Sequence, residues 1–242
     1  MLGACLPGDW HPPIITKTPP LRDRGADFAA QSLRRSIDLL GRPVTGLLVH
    51  HAQDLLDSEG DALLNTLLRA RETGLVKQIG VSVYNAREID DVLARFRPDI
   101  VQLPASLADR RLIESGHVAR LEAMGTQVHC RSALLQGMLL ADSASLHDFF
   151  KGMIPLLNLL DDWSKATGRS RLSLCLAFLM QSDGFDSLVL GAATAAEVGG
   201  LAAAAAEARS CPALPWHELP RLEDSLLNPV NWPSREQLLT SR

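Results

Sequence analysis

Short apolar runs alternate along this chain with longer stretches in which apolar positions recur every three to four residues. The runs at Ile14–Lys17, Thr45–His50, Val76–Val81, Asp99–Leu103, Gln127–Arg131 and Ser187–Leu190 read as strands. Between them the pattern predicts helices over Asp27–Leu40, Asp61–Thr73, Ala86–Phe96, Arg110–Met124, Arg171–Gln181 and Ala195–Ala208. Gly74 and Gly125 follow two of these helices, where a residue free to turn left-handed closes the last turn. The stretch between Arg131 and Arg171 is expected to be irregular. Cys211–Arg242, with its repeated prolines, is expected to lie over the surface as a tail.

Strict alternation of strand and helix argues for a parallel sheet with crossover helices. Runs such as LLV and IVQL are apolar on both faces, as a strand must be when helices or a packed interior cover both sides. Two arrangements satisfy right-handed crossovers, a closed barrel and a doubly wound open sheet. A dinucleotide-binding open sheet carries a GxGxxG turn after its first strand, and no such turn is present. The expected fold is therefore α/β of the (β/α)8 TIM-barrel type, incomplete, with about six β/α units in a single domain over residues 1–242.

Composition changes this picture little but excludes several functions. Hydrophobic residues make up 46% of the chain and charged residues 21%, enough to bury a core and unlike a disordered polymer. The net charge is −4 and the basic residues are scattered, leaving no footprint for nucleic acid. No apolar run is as long as a membrane span, and the first residues lack the charged-then-apolar layout of a signal peptide. Cys5, Cys130, Cys175 and Cys211 are far apart with no CxxC pair. Neither a disulfide framework nor a metal site is expected, and a reducing cytoplasm fits.

In barrels of this kind the polar residues at the C-terminal ends of strands face the site. Here those ends offer Lys17, His50, Ser82, Gln102 and the pair Arg131–Ser132. Each alone has a bland reading: a paired lysine, a core histidine, an amide that bonds its neighbours. All at strand ends, they point together to a site.

The segments IITKT, GLLVHHAQDLL, GLVKQIGVSVY, DIVQLP, VHCRSALLQGMLL and SLVLGAAT, in that order and spacing, resemble the aldo-keto reductase superfamily over residues 12–208. They are most similar to bacterial members acting on sugars or small aldehydes. The resemblance implies a nicotinamide cofactor, NADPH or NADH, lying across the barrel mouth and delivering hydride to a small-molecule carbonyl. It also implies a tyrosine that gives the proton, a lysine that acidifies it, an aspartate paired with the lysine, and a histidine that orients the carbonyl. Matched motif by motif, Lys17 falls on the lysine and His50 on the histidine. Ser82 and Gln102 fall on the pair that holds the nicotinamide amide. Arg131, Ser132, Leu134, Gly191, Thr194 and Glu197 fall on the rest of the cofactor site. An ammonium near a phenol favours the phenolate and makes the phenol a better acid near neutral pH.

The sequence also departs from the family. Its first matching motif corresponds to the family's third strand, so the aspartate and tyrosine of the first two units are expected to be missing and the chain to be truncated. The single tyrosine, Tyr84, falls on an aromatic position beyond the strand, and Val83 stands where the family has an asparagine. Arg131 replaces the aromatic that stacks on the nicotinamide. Glu197 replaces the arginine that grips the 2′-phosphate, and a carboxylate there repels phosphate but can accept from a ribose. NADH is thus expected to bind at least as well as NADPH. The implied activity is NAD(P)H-dependent reduction of an aldehyde, ketone or sugar carbonyl, impaired in this chain. The alternatives are a non-catalytic barrel remnant that binds a ligand, and a lyase or isomerase using Lys17 and His50. A barrel lacking two staves leaves Ile14–Lys17 and Ser187–Leu190 as open edges, through which self-association is expected.

Overall fold

The computed structural model describes residues 2–5, 8–21 and 24–234. Its six strands are parallel and hydrogen-bond in chain order: β1 Ile15–Lys17, β2 Gly46–Val49, β3 Gln78–Ser82, β4 Ile100–Pro104, β5 Gln127–Arg131 and β6 Ser187–Leu188. This order has no switch point. That excludes a doubly wound open sheet and leaves the (β/α)8 type of α/β fold, incomplete. The helices are α1 Leu2–Cys5, α2 Gly25–Leu40, α3 Gln53–Leu56, α4 Gly60–Glu72, α5 Ala86–Leu93, α6 Arg111–Glu114, α7 His117–Ala123, α8 Ile154–Thr167, α9 Arg171–Gln181, α10 Ala195–Arg209 and α11 Asp224–Leu227. Packing gathers the chain into two compact units, one of Met1–Leu103 with His117–His129 and one of Pro104–Gly116 with Cys130–Arg242.

In the first unit, Pro12–Pro13 and Pro19–Pro20 bracket β1 and hold it to three residues, since proline cannot donate to a ladder. Leu47 of β2 faces outward and shares a crevice with Leu33 of α2 and Ala70 of α4. α2 buries Ala29 and Leu33, one turn apart, and stops where Gly41 takes φ 64. At the foot of the sheet Asp99 accepts from the Ile79 N–H (2.9 Å) and from Arg71 Nη1 (3.0 Å), tying β3, β4 and α4 together. α5 opens with a reciprocal cap. Asn85 Oδ1 accepts from the Glu88 N–H (3.0 Å), and Glu88 Oε2 accepts from the Tyr84 N–H (2.6 Å).

Two expectations about elements are corrected. The single helix expected over Arg110–Met124 is broken into α6 and α7, because Gly116 takes φ 77 and turns the backbone out of the helix. The stretch expected to be irregular holds the 14-residue α8, which starts on Pro155 in its first turn and ends at Gly168 with φ 66. α8 buries Leu156, Leu157, Leu160 and Trp163 in the core of the second unit, where α9 buries Leu174 to Leu179. Arg171 joins these helices by a fork on Asp161 (2.6 and 2.5 Å) and reaches the Ala141 carbonyl (2.5 Å). Beyond Cys211 the chain contributes to the same core. Trp216 stands edge-on to Trp163 and Phe178, and Leu219, Leu226 and Leu227 are buried. Arg110 receives this segment through the Leu219 and Pro220 carbonyls.

Candidate functional site

The strand register of the first unit decides which side chains share a face. Lys17 pairs with Leu48, Leu48 with Gly80 and Gly80 with Ile100. One pleat further along, Ser82 pairs with Gln102, and His50, following the pair Val49 and Val81, comes level with Ser82. Side chains alternate between faces along a strand, so Lys17, His50, Ser82 and Gln102 lie on one face of β1 to β4. The glycines identify that face. A Cβ on Gly46 would lie 2.7 Å from Ile15 Cδ1 and 3.2 Å from Ile100 Cδ1, and one on Gly80 would lie 2.8 Å from Leu48 Cδ2. Ser82 and Gln102 are 2% and 5% exposed, so both must satisfy their polar atoms within the protein or with a ligand. Lys17 and His50 are half-buried.

Two neighbours of this row escaped the reading of the sequence. Thr18, buried at the end of β1, accepts the His50 N–H at its Oγ1 (3.2 Å), while its own N–H donates to the Leu48 carbonyl (2.8 Å). It fixes the backbone from which the His50 ring projects. That ring stacks on His51, with centroids 4.5 Å apart. The second is His129 of β5, 9% exposed. The Gln127 N–H donates to the Asp99 carbonyl (2.9 Å), which in a parallel ladder sets Gln127 beside Ile100 and His129 beside Gln102. Gln127 also accepts from Gln78 Nε2 (3.1 Å), so the odd-numbered side chains of β5 share the face of Gln78, Gly80 and Ser82. Only a known register shows this, since Val128–His129–Cys130 reads as the middle of a buried strand.

The second unit carries the remaining candidates. Arg131 ends β5, and its Nη1 donates to Ser132 Oγ (3.3 Å). Ser132 takes φ 62, and Leu135 and Gln136 follow at φ 45 and 54. Three left-handed non-glycine residues in five are strained, at a cost on the order of 1–3 kcal/mol each, and strain of this kind gathers at ligand sites. Leu134 is half-buried between them. Cys130 is not a nucleophile: burial pushes its thiol up to about 12, and it donates to the Ala105 carbonyl. Gly191 is exposed, with open space where a Cβ would stand. Thr194 caps α10, its Oγ1 accepting the Glu197 N–H (3.2 Å), and Glu197 Oε2 accepts the Ala193 N–H (2.6 Å). The chain's own carboxylate therefore occupies the positive end of a 15-residue helix, where a phosphate is otherwise favoured. Among the described residues no group of three or more His, Cys, Asp or Glu could hold a metal ion. A separate recess of the first unit is lined by Leu21, Gly25, Asp54, Asp57, Glu59 and Leu63, and its carboxylates suit no phosphate-bearing ligand.

The sequence profile of the aldo/keto reductase family matches residues 13–209. The chain belongs to the aldo/keto reductase family. No curated protein sequence matches it. Among solved structures, the aldo-keto reductase AKR11C1 from Bacillus halodurans is similar at 17% identity, with 83% of this chain and 73% of that one covered and a TM-score of 0.64. The thermostable aldo-keto reductase Tm1743, in complex with the inhibitor epalrestat, is 18% identical over 84% and 67% of the two chains, with a TM-score of 0.61. The glycerol dehydrogenase AKR11B4 from Gluconobacter oxydans is 15% identical over 80% and 68%, with a TM-score of 0.55. At these identities the structural likeness speaks to the fold. Aldo-keto reductases are oxidoreductases that use NAD(P)H. The donor set fits that group: a hydroxyl and an amide side by side, Ser82 and Gln102, match the one acceptor and two donors of a carboxamide.

Proposed function

We propose that this chain binds a nicotinamide dinucleotide and serves the interconversion of a small carbonyl and its alcohol. The observation that carries the proposal is the polar row His50, Ser82, Gln102 on one sheet face, with Lys17 one pleat below, in a chain of this family. When bound, the dinucleotide supplies or takes up hydride. Ser82 and Gln102 hold its carboxamide and fix the orientation of the ring. His50, its backbone held by Thr18, orients the carbonyl oxygen through an imidazole N–H. Lys17 places a positive charge on the same face and stabilises negative charge developing on that oxygen, which takes its proton from the His50 imidazole or from water to complete the alcohol. By their match to the family motifs, Arg131, Ser132, Leu134, Gly191 and Thr194 are proposed as nucleotide-binding residues, with Glu197 disfavouring a 2′-phosphate. The substrate class is a small aldehyde, ketone or polyol, the last suggested by the glycerol dehydrogenase among the structural neighbours. The compartment proposed is the cytoplasm, and the four thiols are free. Among the described residues no helix is long and apolar enough to cross a membrane.

A second reading, ligand binding without turnover, is favoured by Tyr84. It is the only tyrosine of the 242 residues, and it lies beyond β3 with its backbone N–H on Glu88. General acid catalysis contributes on the order of 10²–10⁴-fold, so without a phenol at the carbonyl oxygen these residues should turn over slowly. Assay of the purified chain with NADH and NADPH against small aldehydes and polyols tests both readings. The proposal expects measurable but slow turnover that disappears in His50→Gln. Binding of NADH with no turnover supports the second reading. Failure of either nucleotide to bind defeats the first.

A further inference from the structure

His129 is level with Gln102 on the adjacent strand and faces the same side of the sheet, so the row runs unbroken over four strands as His50, Ser82, Gln102, His129. Neighbouring strands are about 4.8 Å apart, so the imidazole stands within reach of any group that Gln102 holds. The opposite end of the row belongs to His50, three strands away. A ligand group touching both Gln102 and His129 is therefore the carboxamide end of the ring, on the far side from the carbonyl oriented by His50. The residue after Ser82 is Val83, wholly buried, apolar, and bonded through its N–H to the Gln102 carbonyl (2.9 Å). It offers a carboxamide no side-chain hydrogen bond, which leaves Ser82 and Gln102 as the polar contacts from β3 and β4.

Resting on the reading that this row holds a nicotinamide, we infer that His129 supplies the third polar contact to its carboxamide. The imidazole serves as a donor to the carboxamide oxygen or an acceptor from its amide nitrogen, and thereby selects ring orientation. Packing from β5 replaces the contact that β3 lacks. The residue binds and positions; it takes no part in proton transfer at the substrate carbonyl.

The test uses the full chain, NADH and adenosine diphosphate as probes, and the variants His129→Leu and His129→Gln. Leucine keeps the bulk and removes both hydrogen-bonding atoms. It should weaken NADH about three- to tenfold, the range of one net hydrogen bond, and leave adenosine diphosphate affinity unchanged. Glutamine should restore part of the loss. On the wild-type chain, the side-chain nitrogen resonances of His129, assigned by their disappearance in the glutamine variant, should shift on adding NADH and stay fixed on adding adenosine diphosphate. Equal NADH affinity in wild type and the leucine variant, or resonances that do not respond to NADH, would overturn the inference while leaving the nucleotide reading intact. A wild-type chain that binds no NADH overturns that reading and the inference with it. If the leucine variant does not fold, the resonance measurement on the wild-type chain decides.

Discussion

At the scale of single residues, close approach and burial set the chemistry. Gly80 sits where the row needs β3 against β4: a Cβ there would collide with the Ile100 carbonyl and press on Leu48. Gly80→Ala should lower stability by about 1–3 kcal/mol or more, read as a lower urea midpoint, because backbone cannot yield as a side-chain tip can. An unchanged midpoint would mean that β3 and β4 are farther apart than described. Burial also sorts the thiols. Cys130 and Cys175 are pushed up to about 12 and Cys211 is raised, whereas Cys5 is exposed. An aromatic disulfide reagent at pH 8 should titrate one thiol rapidly in the native chain and the other three only in denaturant. The strand-end residues proposed for the site are legible in the sequence because polar groups closing apolar runs are costly without a purpose. His129 was not, because its significance lies in which face it takes, and a strand without its neighbours has no register.

At the scale of elements, caps and ion pairs do what hydrophobic patterning cannot specify. The apolar positions of α8, Leu156, Leu157, Leu160 and Trp163, do follow a helical spacing. They were obscured by the short 3-10 turns before them, Leu135–Leu140, Ser143–Ser145 and Asp148–Met153, which break any regular period. The division of α6 from α7 turns on Gly116, one residue whose left-handed φ outweighs the propensities around it. The join between α8 and α9 makes a pH-dependent prediction. Arg171, hydrogen-bonded to Asp161, holds that carboxyl below the usual carboxylate range. A depressed folded value means stability that is present above the unfolded value of about 4 and lost as pH falls through the folded value. Asp161→Asn should therefore cost about 0.5–1 kcal/mol at pH 7, allowing for a side chain that is 40% exposed, with the difference from wild type fading as pH falls through the lowered folded value. A difference that persisted in acid would locate the effect in packing. At α10, the pairing of Thr194 with Glu197 is worth about 1 kcal/mol of local helix stability, so Thr194→Ala should speed amide exchange in its first turn. Glu197→Arg should shift preference toward NADPH, since it removes the carboxylate from the helix N-terminus and supplies a phosphate partner.

At the scale of the whole molecule, strict alternation implies a parallel α/β sheet and the missing GxGxxG turn favours the barrel type, and parallel strands paired in chain order accord with both. Among the described residues β1 and β6 end the sheet, each pairing with a single neighbouring strand, and Val189 beside β6 is 44% exposed. We propose self-association through these edges, a template that sheet proteins otherwise cover. On a sizing column the apparent mass should rise with concentration above the 26.3 kDa of the chain, and a concentration-independent monomer would refute it. We propose that the polar row of the first unit receives a nicotinamide and that Glu197 disfavours a 2′-phosphate. The most direct test is a paired titration of the purified chain with NADH and NADPH, followed by quenching of tryptophan fluorescence. Saturable binding of both is expected, with NADH at least as tight as NADPH. A clear preference for NADPH, or no saturable binding of either, would contradict it.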